Sequence, residues 1–500
     1  MTVVETAYGK LRGTEIADGV LAWRGVPYAT PPVGELRLRP PAPPPGWAGT
    51  RDALTYGNRS LQPDPDPDAA PPVPLPPAAE DCLYLNVTAP AAALSPIAAP
   101  TTTGGRPVLL WIHGGGFEMG HGPDLAGDGA AFASSHGLVV VTFNYRLGAL
   151  GFLDVPGENP TGALGLHDQI AALRWTRENI AAFGGDPEQV TVYGLSAGGK
   201  SVTNLLASPL TAGLIRRAAE SSGGDHVKSP EQARELTARY FRTLGTTPER
   251  IRTVPAADIL AAQVAVAAAP ESTWVWRPSV DGAALTAAPL TAIAGGAAAG
   301  VPLLLQTGSR ETALYQLMDP RAADQADRVL AGYFGDQRAA AMLADYAAAY
   351  PDFDQATLRG VTVMTDERYV VRTERLADAH ASHAPVWRSR YDGRYTGMED
   401  DPDPEFARYA HLLHGAHGGD GGGIWHGGEG LSAAVHEAWG AFATKGDPGW
   451  ARYDPEGGRP AMIFGADGPR LADDPFAFAR KEWAGLNWQP GTWWQVEGVS

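Results

Sequence analysis

The stretch VTVYGLSAGGK (Val190–Lys200) is the local feature that most constrains the fold, because it joins a run of β-forming residues to a glycine-rich turn. One serine, Ser196, stands between two glycines in the pattern G-x-S-x-G. In a chain with 61 glycines among 500 residues this pattern arises by chance about 0.25 times, so alone it is weak evidence. The residues on either side predict a strand before Ser196 and a helix after it, which places the serine in a sharp strand–turn–helix connection.

Elsewhere in the chain, continuous apolar runs alternate with segments that have helical spacing. RPVLLWI (106–112) and LVVVTFN (138–144) are rich in β-formers and are typical of central strands buried on both faces. DQIAALRWTRENIAAF (168–183) has helical spacing, GVPLLLQTG (300–308) resumes the strand pattern, and LSAAVHEAWGAFATKG (431–446) predicts one of the last helices. This alternation predicts an α/β fold with a central, mostly parallel, twisted sheet and helices on both faces.

The rest of the sequence predicts additions to a single domain spanning residues 1–500. About residues 1–30 alternate as short antiparallel strands do, and residues 61–80 are rich in proline and aspartate, which favours a surface loop. Residues of about 225–275 are alanine-rich and predict a helical insertion.

Charge and composition limit the possible partners. The net charge of −17 disfavours nucleic acid and anionic membranes, which both require clustered Lys and Arg. No apolar run is long enough to cross a bilayer, and the N-terminus lacks the basic and apolar segments of a secretory signal, so we expect a cytoplasmic protein. The single cysteine, Cys82, excludes a disulfide within the chain. The sequence gives no indication of the oligomeric state.

The predicted turn at Ser196 has the chemistry of a nucleophile site. A tight turn leaves no room for side chains, which gives Gly194 and Gly198 a steric reason to be glycine, and the helix that follows directs its amides and dipole at Ser196. A serine also needs an oxyanion site, and the glycines of WIHGGGF (111–117) can supply backbone N–H groups after a predicted strand. Lys200 is expected at the surface of the helix.

The general base is expected in HLLHGAHGGDGGGIWHGG (411–428), a segment that contains four histidines. These are His411, His414, His417 and His426. A metal site is the rival interpretation, but the first three are spaced three apart and would spread around a helix, and no H-E-x-x-H pattern is present. A base on a glycine-rich loop is therefore favoured, with neither a metal nor an organic cofactor.

Two carboxylates are candidates for the acid that orients this base. Asp281 lies in the predicted turn SVDG, and Glu311 follows the predicted strand VPLLLQTG. Because active-site residues gather at the carboxyl ends of such strands, Glu311 is favoured.

Several longer motifs are distributed over most of the chain. They are GVPYATPPVGELRLRPP (25–41), EDCLYLNV (80–87), FGGDPEQVTVYGLSAGG (183–199) and AWGAFATKGDP (438–448). Together and in this order they resemble the type-B carboxylesterase/cholinesterase family of α/β-hydrolases. The resemblance implies an α/β-hydrolase fold with helical insertions. It also implies a serine carboxylesterase that acts on small-molecule esters through a Ser-His-Glu triad and an acyl-enzyme, without cofactors.

The resemblance also assigns roles to individual residues. Ser196 matches the nucleophile and Glu311, in SRET (309–312), matches the acid. His417 matches the base, ahead of His414, since an aromatic residue follows it at the family's spacing in HGGDGGGIW. The oxyanion N–H groups are assigned to Gly115, Gly116 and Ala197.

The sequence departs from the family at two informative positions. Ser60 stands where the family often has the disulfide partner of the cysteine in EDCLYLN, which agrees with a reducing compartment. Leu195 stands where cholinesterases have a glutamate before the nucleophile.

Two other functions remain alternatives at this stage. An amidase or carbamate hydrolase would use the same three residues. Some members of the family are binding proteins without a nucleophile, but Ser196, Glu311 and His417 are all present here, which favours an enzyme.

Overall fold

The computed structural model describes residues 1–64, 75–94, 105–124, 127–158, 161–268, 275–318, 325–351, 356–395 and 413–488. Its strands are β1 (Thr2–Thr6), β2 (Gly9–Ala17), β3 (Val20–Pro27), β4 (Thr50–Asp52), β5 (Arg59–Ser60), β6 (Ala78–Ala79), β7 (Tyr84–Pro90), β8 (Arg106–Ile112), β9 (Val139–Phe143), β10 (Gly185–Leu195), β11 (Arg217–Ser221), β12 (Leu303–Gly308), β13 (Val386–Tyr391), β14 (Pro460–Gly465) and β15 (Gly468–Asp473).

The helices lie mostly between these strands. They are α1 (Ala130–His136), α2 (Gly148–Phe152), α3 (Leu164–Asn179), α4 (Ala197–Ala207), α5 (Pro230–Leu244), α6 (Ala256–Ala267), α7 (Pro289–Ala294), α8 (Ala313–Met318), α9 (Gln325–Phe334), α10 (Asp336–Ala349), α11 (Ala356–Thr365), α12 (Val371–Ala381), α13 (Gly421–His426), α14 (Gly430–Lys445) and α15 (Ala477–Glu482). A π-helical turn, Asp366–Val370, joins α11 to α12. Short 3-10 turns lie at Gly34–Leu36, Ala91–Leu94, Ile180–Phe183, Pro209–Thr211 and Pro248–Thr253.

Most strands of the described residues belong to one large sheet. Its order is β1-β2-β3-β7-β9-β8-β10-β11-β12-β13-β14-β15, with β4 paired to β2. The run from β9 to β14 is parallel, and both ends are antiparallel. The predicted mostly parallel sheet is therefore confirmed. Parallel strands end together at their carboxyl edge, so β10, β11 and β12 deliver their following loops to one place.

The central strands are buried on both faces. In β8, Val108 and Leu110 belong to the larger apolar cluster, which also contains residues of α3 and α4. The alternate residues Leu109 and Trp111 belong to a second cluster with residues of α1 and α14. Because successive side chains of a strand point to opposite faces, helices cover both sides of the sheet, as predicted.

The predicted peripheral regions coincide with the following elements. The first 27 residues contain β1, β2 and β3, which pair antiparallel. Helices α5 and α6 fall within residues 225–275, of which 269–274 lie outside the described residues. Of the proline-rich segment 61–80, residues 65–74 also lie outside them.

A second helical region, which the sequence patterns did not predict, follows β12. Helices α8 to α12 span residues 313–381 before the chain returns to the sheet in β13. In the part of the chain described, no helix has the length and apolarity that a membrane-spanning segment requires.

Candidate active site

Ser196 occupies the turn between β10 and α4. Its φ of 59° and ψ of −120° lie in a region that L-residues rarely adopt. The surrounding backbone holds the turn in place, because the Ser196 N–H donates to the Ser221 carbonyl and the Lys200 N–H donates to the Ser196 carbonyl, both at 2.9 Å. A strained, tightly fixed serine at this position is the geometry of a nucleophile elbow.

The two glycines around Ser196 are sterically required, as predicted. A Cβ on Gly194 would lie 2.2 Å from the carbonyl group of Gly198, and a Cβ on Gly198 would lie 2.0 Å from the Ile112 carbonyl oxygen. Both contacts are to backbone atoms, which side-chain rotation cannot relieve. The motif is therefore explained by the close packing of β8, β10 and α4.

The glycine loop after β8 passes beside Ser196. A Cβ on Gly114 would lie only 3.2 Å from the Cβ of Ser196. Gly115 and Gly116 have positive φ values of 96° and 63°. Gly116, Ala197 and Ser196 line the same cleft. The Ala197 N–H belongs to the first turn of α4, whose amides have no acceptor within the helix.

His417 and Glu311 form a close pair. Nδ1 of His417 lies 2.7 Å from Oε2 of Glu311. Glu311 is fully buried, and His417 is 7% exposed. The His417 ring also packs 5.0 Å from the ring of Tyr369 and 5.5 Å from that of Tyr315. Both tyrosines line the cleft that contains Ser196, so the histidine lies between the buried carboxylate and the cleft.

Besides its contact with His417, Glu311 accepts two hydrogen bonds through Oε1. Ser222 Oγ donates to Oε1 at 2.8 Å, and the Gly308 N–H donates to the same oxygen at 2.5 Å. These two hydrogen bonds hold Oε1 in place and so fix the orientation of the carboxylate toward His417. Ser222 also has a positive φ of 54°. The sequence reasoning missed this residue; its signal was the SGG string (222–224) directly after β11.

Asp420 anchors the loop that carries His417. Its Oδ2 accepts a hydrogen bond from Gln306 Nε2 at 2.5 Å and another from Ser221 Oγ. These partners lie in β12 and β11, so Asp420 holds the histidine loop against the edge of the sheet. Burial raises the pKa of Asp420. This residue was also missed, although it stands three positions after His417.

The other candidates for acid and base lie elsewhere. Asp281 Oδ2 lies 2.8 Å from Nε2 of His167, and Asp281 Oδ1 accepts a hydrogen bond from the Leu285 N–H at 2.8 Å, so Asp281 belongs to a separate pair. His414 lines a different pocket, together with Arg310 and Asp392.

The rival metal site concerns four histidines, of which the structure describes His414, His417 and His426. His426 is exposed at the end of α13, and His411 lies outside the described residues. Within the described ranges, no group of three or more His, Cys, Asp and Glu side chains is arranged to hold a metal ion.

The expectation that Lys200 lies at the surface is wrong. Lys200 lines the cleft with Ser196, and its Nζ lies 4.9 Å from the centre of the Tyr369 ring. Lys200 lies four positions after Ser196, in the first turn of α4. Burial, followed by the nearby Arg277, lowers the pKa of Lys200 to about 7.

Cys82 is a buried free thiol, 1% exposed. Burial raises its pKa to about 12, and a hydrogen bond with the Ser60 side chain opposes this shift. Ser60 therefore lies beside Cys82, where the family resemblance places the disulfide partner.

Comparison with known families explains this arrangement. Residues 1–457 match the model described as the carboxylesterase family. The chain belongs to the carboxylesterase family. The expected α/β-hydrolase fold and enzyme class, a carboxylic ester hydrolase, are thereby confirmed.

Individual members of this family align over most of the chain. The chain is 38% identical over 400 residues to the para-nitrobenzyl esterase of Bacillus subtilis (strain 168). The aligned region covers 78% of each protein. It is 32% identical to the phenmedipham hydrolase of Pseudarthrobacter oxydans, over 94% of this chain and 97% of that protein. A solved structure titled PNB esterase superposes with a TM-score of 0.81 at 34% identity, covering 96% of this chain and 99% of that one.

Proposed function

We propose that the protein hydrolyses small carboxylic esters through a triad of Ser196, His417 and Glu311 and an acyl-enzyme intermediate. Ser196 is the nucleophile, His417 is the general base and Glu311 is the acid that orients it. The observation that carries the proposal is the 2.7 Å contact between Nδ1 of His417 and Glu311, because it engages Nδ1 and leaves Nε2 as the nitrogen for proton transfer.

In the first half of the reaction, Nε2 of His417 takes the proton of Ser196 Oγ while Oγ attacks the ester carbonyl carbon. Glu311 stabilises the imidazolium that forms. When the tetrahedral intermediate collapses, the C–O bond to the alcohol breaks and the alcohol leaves with the proton from His417. In the second half, water repeats these steps on the acyl-enzyme and releases the acid.

The oxyanion of both intermediates would be stabilised by backbone N–H groups of Gly115, Gly116 and Ala197. Two features support this assignment. The glycine loop passes beside Ser196, and the Ala197 amide is at the N-terminus of α4. Amides fixed before the reaction need no reorganisation when charge develops on the oxygen.

Hydrolysis of amides or carbamates through the same residues is the second candidate. One relative is described as a hydrolase of phenmedipham and not as an esterase. Amide and ester hydrolysis share the same tetrahedral oxyanion, so a triad alone does not separate them.

The experiment compares ethyl butyrate with N-ethylbutyramide, by titration of the acid released, in the wild type and in two histidine variants. We expect the ester to be the better substrate by several orders of magnitude in kcat/KM. His417→Ala should lower kcat by about a thousandfold or more, because the triad acts as a unit. His414→Ala is the matched control and should keep wild-type activity. A dead His414→Ala with an active His417→Ala would contradict the assignment of the base.

A further inference from the structure

The cleft beside Ser196 is lined by three basic side chains, although the chain as a whole carries a net charge of −17. They are Lys200, Arg277 and Arg368. Among the described residues that line this cleft, none is acidic. A positive cleft on a negative protein is not a consequence of composition, so the positions of these three residues need an explanation.

The three cations come from distant parts of the chain. Lys200 lies on α4, one helical turn after the nucleophile. Arg277 lies in the irregular segment between α6 and α7, and Arg368 lies in the π-helical turn between α11 and α12. Because π-helical turns within α-helices are frequent at functional sites, the position of Arg368 is a second and independent indication of a ligand site.

The backbone at Arg277 is held in place by the buried Lys228. Nζ of Lys228 donates to the Arg277 carbonyl at 2.5 Å and to the Phe152 carbonyl at 2.7 Å. The Lys228 N–H also donates to the Pro278 carbonyl at 2.8 Å. The backbone at Arg277 is therefore fixed. The residue is only 6% exposed, and it is part of the cleft lining.

Arg368 is positioned by its neighbours in the π-helical turn. Its Nε lies 3.4 Å from Oε2 of Glu367, and its guanidinium lies 5.8 Å from the ring centre of Tyr315. Glu367 in turn accepts a hydrogen bond from Tyr333 at 3.2 Å. The carboxylate thus lies behind Arg368, outside the lining of the cleft.

Holding these cations close together has an electrostatic cost. Burial, followed by Arg368, lowers the pKa of Arg277 to about 10. His226, which also lines the cleft and is 4% exposed, has its pKa lowered well below the usual value by burial and by Lys200. Its Nδ1 has no hydrogen-bond partner among the described residues. A bound anion would relieve the repulsion and could accept hydrogen bonds from the same side chains.

Glu118, another acidic side chain outside the lining, does not remove this preference at neutral pH. Glu118 lies close enough to Arg277 for the guanidinium to oppose the pKa shift of the carboxyl, but burial still raises that pKa to about 7. Much of Glu118 is therefore protonated near neutrality, and its negative charge compensates Arg277 only in part. Lys200, whose pKa burial lowers to about 7, is likewise only partly charged near neutrality, and a bound anion would favour its protonated form.

We infer that the cleft selects esters that carry a second, ionised carboxylate within a few bonds of the ester carbonyl. The inference rests on the proposed function, because the basic residues line the same cleft as Ser196. Lys200 and Arg368 would bind the free carboxylate, and Ser196 would attack the ester carbonyl.

The test uses pairs of substrates of the same shape that differ in charge. Monoethyl succinate is compared with ethyl succinamate, in which a neutral carboxamide replaces the carboxylate. Carboxymethyl acetate is compared with its carboxamide, which places the charge on the alcohol side. Ethyl butyrate reports neutral ester hydrolysis independently. We expect kcat/KM to favour the anionic member of at least one pair by about tenfold or more.

Two cleft variants and one surface variant show where the preference arises. Lys200→Met and Arg368→Met should each lower the anionic-to-neutral ratio of kcat/KM by about fivefold or more. Lys481→Met, at an exposed position of α15, removes the same charge from the protein and should leave the ratio unchanged. Two cleft variants are used so that misfolding of one, visible in its circular dichroism, leaves the other to decide.

The outcomes separate the inference from the proposed function. Hydrolysis of ethyl butyrate with a ratio of one or less in both pairs would overturn the inference and leave the esterase proposal standing. A preference that persists in both cleft variants would also overturn it, because the selecting charge would lie elsewhere. No hydrolysis of any of these esters would overturn both.

Discussion

Oε2 of Glu311 lies 2.7 Å from Nδ1 of His417, although 106 residues separate them in the chain. The pair joins the end of β12 to the loop before α13, and Ser222 at the end of β11 fixes the carboxylate from the other side. The segments that follow β11 and β12 and the loop before α13 therefore meet at one edge of the sheet, beside the turn that carries Ser196.

The charge of Glu311 should be required for activity. Glu311→Gln keeps the volume of the side chain but cannot stabilise the imidazolium of His417, so we expect kcat on ethyl butyrate to fall by about a hundredfold or more while the circular dichroism spectrum is unchanged. Asp281→Asn is the matched control. Because Asp281 pairs with His167, away from the cleft, its variant should keep kcat and lower only the melting temperature. Full activity in Glu311→Gln would assign the acid to another residue.

A part of the site can be predicted from the sequence when the residues that determine it lie close together in the chain. The elbow was predictable because Gly194 and Gly198 are required by backbone contacts within one strand–turn–helix unit. Strands β8 and β10 were predictable from continuous runs of β-formers. The position of Glu311 after a predicted strand favoured it over Asp281, and the family resemblance selected His417 from the histidines that local patterns left open.

Two buried strands escaped prediction because charged residues interrupt them. Strand β11 has the sequence RAAES, which contains the buried Glu220, and β13 has the sequence VWRSRY. In β13, Arg388 is fully buried and pairs with Glu374 at 2.8 Å. The partner lies on α12, so nothing in the strand itself indicates that the charge is satisfied.

The basic cleft was also unpredictable from sequence. Lys200, Arg277 and Arg368 span 168 positions, and each stands in an ordinary local context. Only the packing of α4 against the irregular segment and the π-helical turn brings them to one cleft. The net charge of the chain does not indicate such a cleft, since composition averages over the whole surface.

Glu220 should make the stability of the protein depend on pH. Burial raises its pKa from 4.5 to about 7, while Thr203 and the Gly224 N–H donate hydrogen bonds to it. Its contribution to stability is therefore complete below about pH 4.5 and is lost as pH rises through 7.

Substitution of Glu220 isolates this effect. The free energy of unfolding of Glu220→Gln minus that of the wild type should increase between pH 4.5 and 7, by about 3 kcal/mol, and then stay constant. Urea denaturation of both proteins at several pH values measures the difference. The same difference at pH 5 and pH 8 would contradict the shifted pKa.

Cys82 should be unreactive in the folded protein. Burial raises the pKa of its thiol to about 12, so at pH 8 only about one molecule in ten thousand carries the thiolate that reacts with alkylating agents. Ellman's reagent should find no accessible thiol in the native protein and one per chain in guanidinium. Reductant should leave the melting temperature unchanged. A rapid reaction of the native thiol would show that the packing around Ser60 and Cys82 opens readily.

The most direct test of the account is covalent labelling of the nucleophile. The native protein is treated with a fluorophosphonate, digested and analysed by mass spectrometry, with Ser196→Ala as the control. We predict a single adduct on Ser196, formed in parallel with the loss of ethyl butyrate hydrolysis, and no adduct in Ser196→Ala. Loss of activity with the adduct on another residue, or hydrolysis retained by Ser196→Ala, would contradict the assignment of Ser196 as the nucleophile.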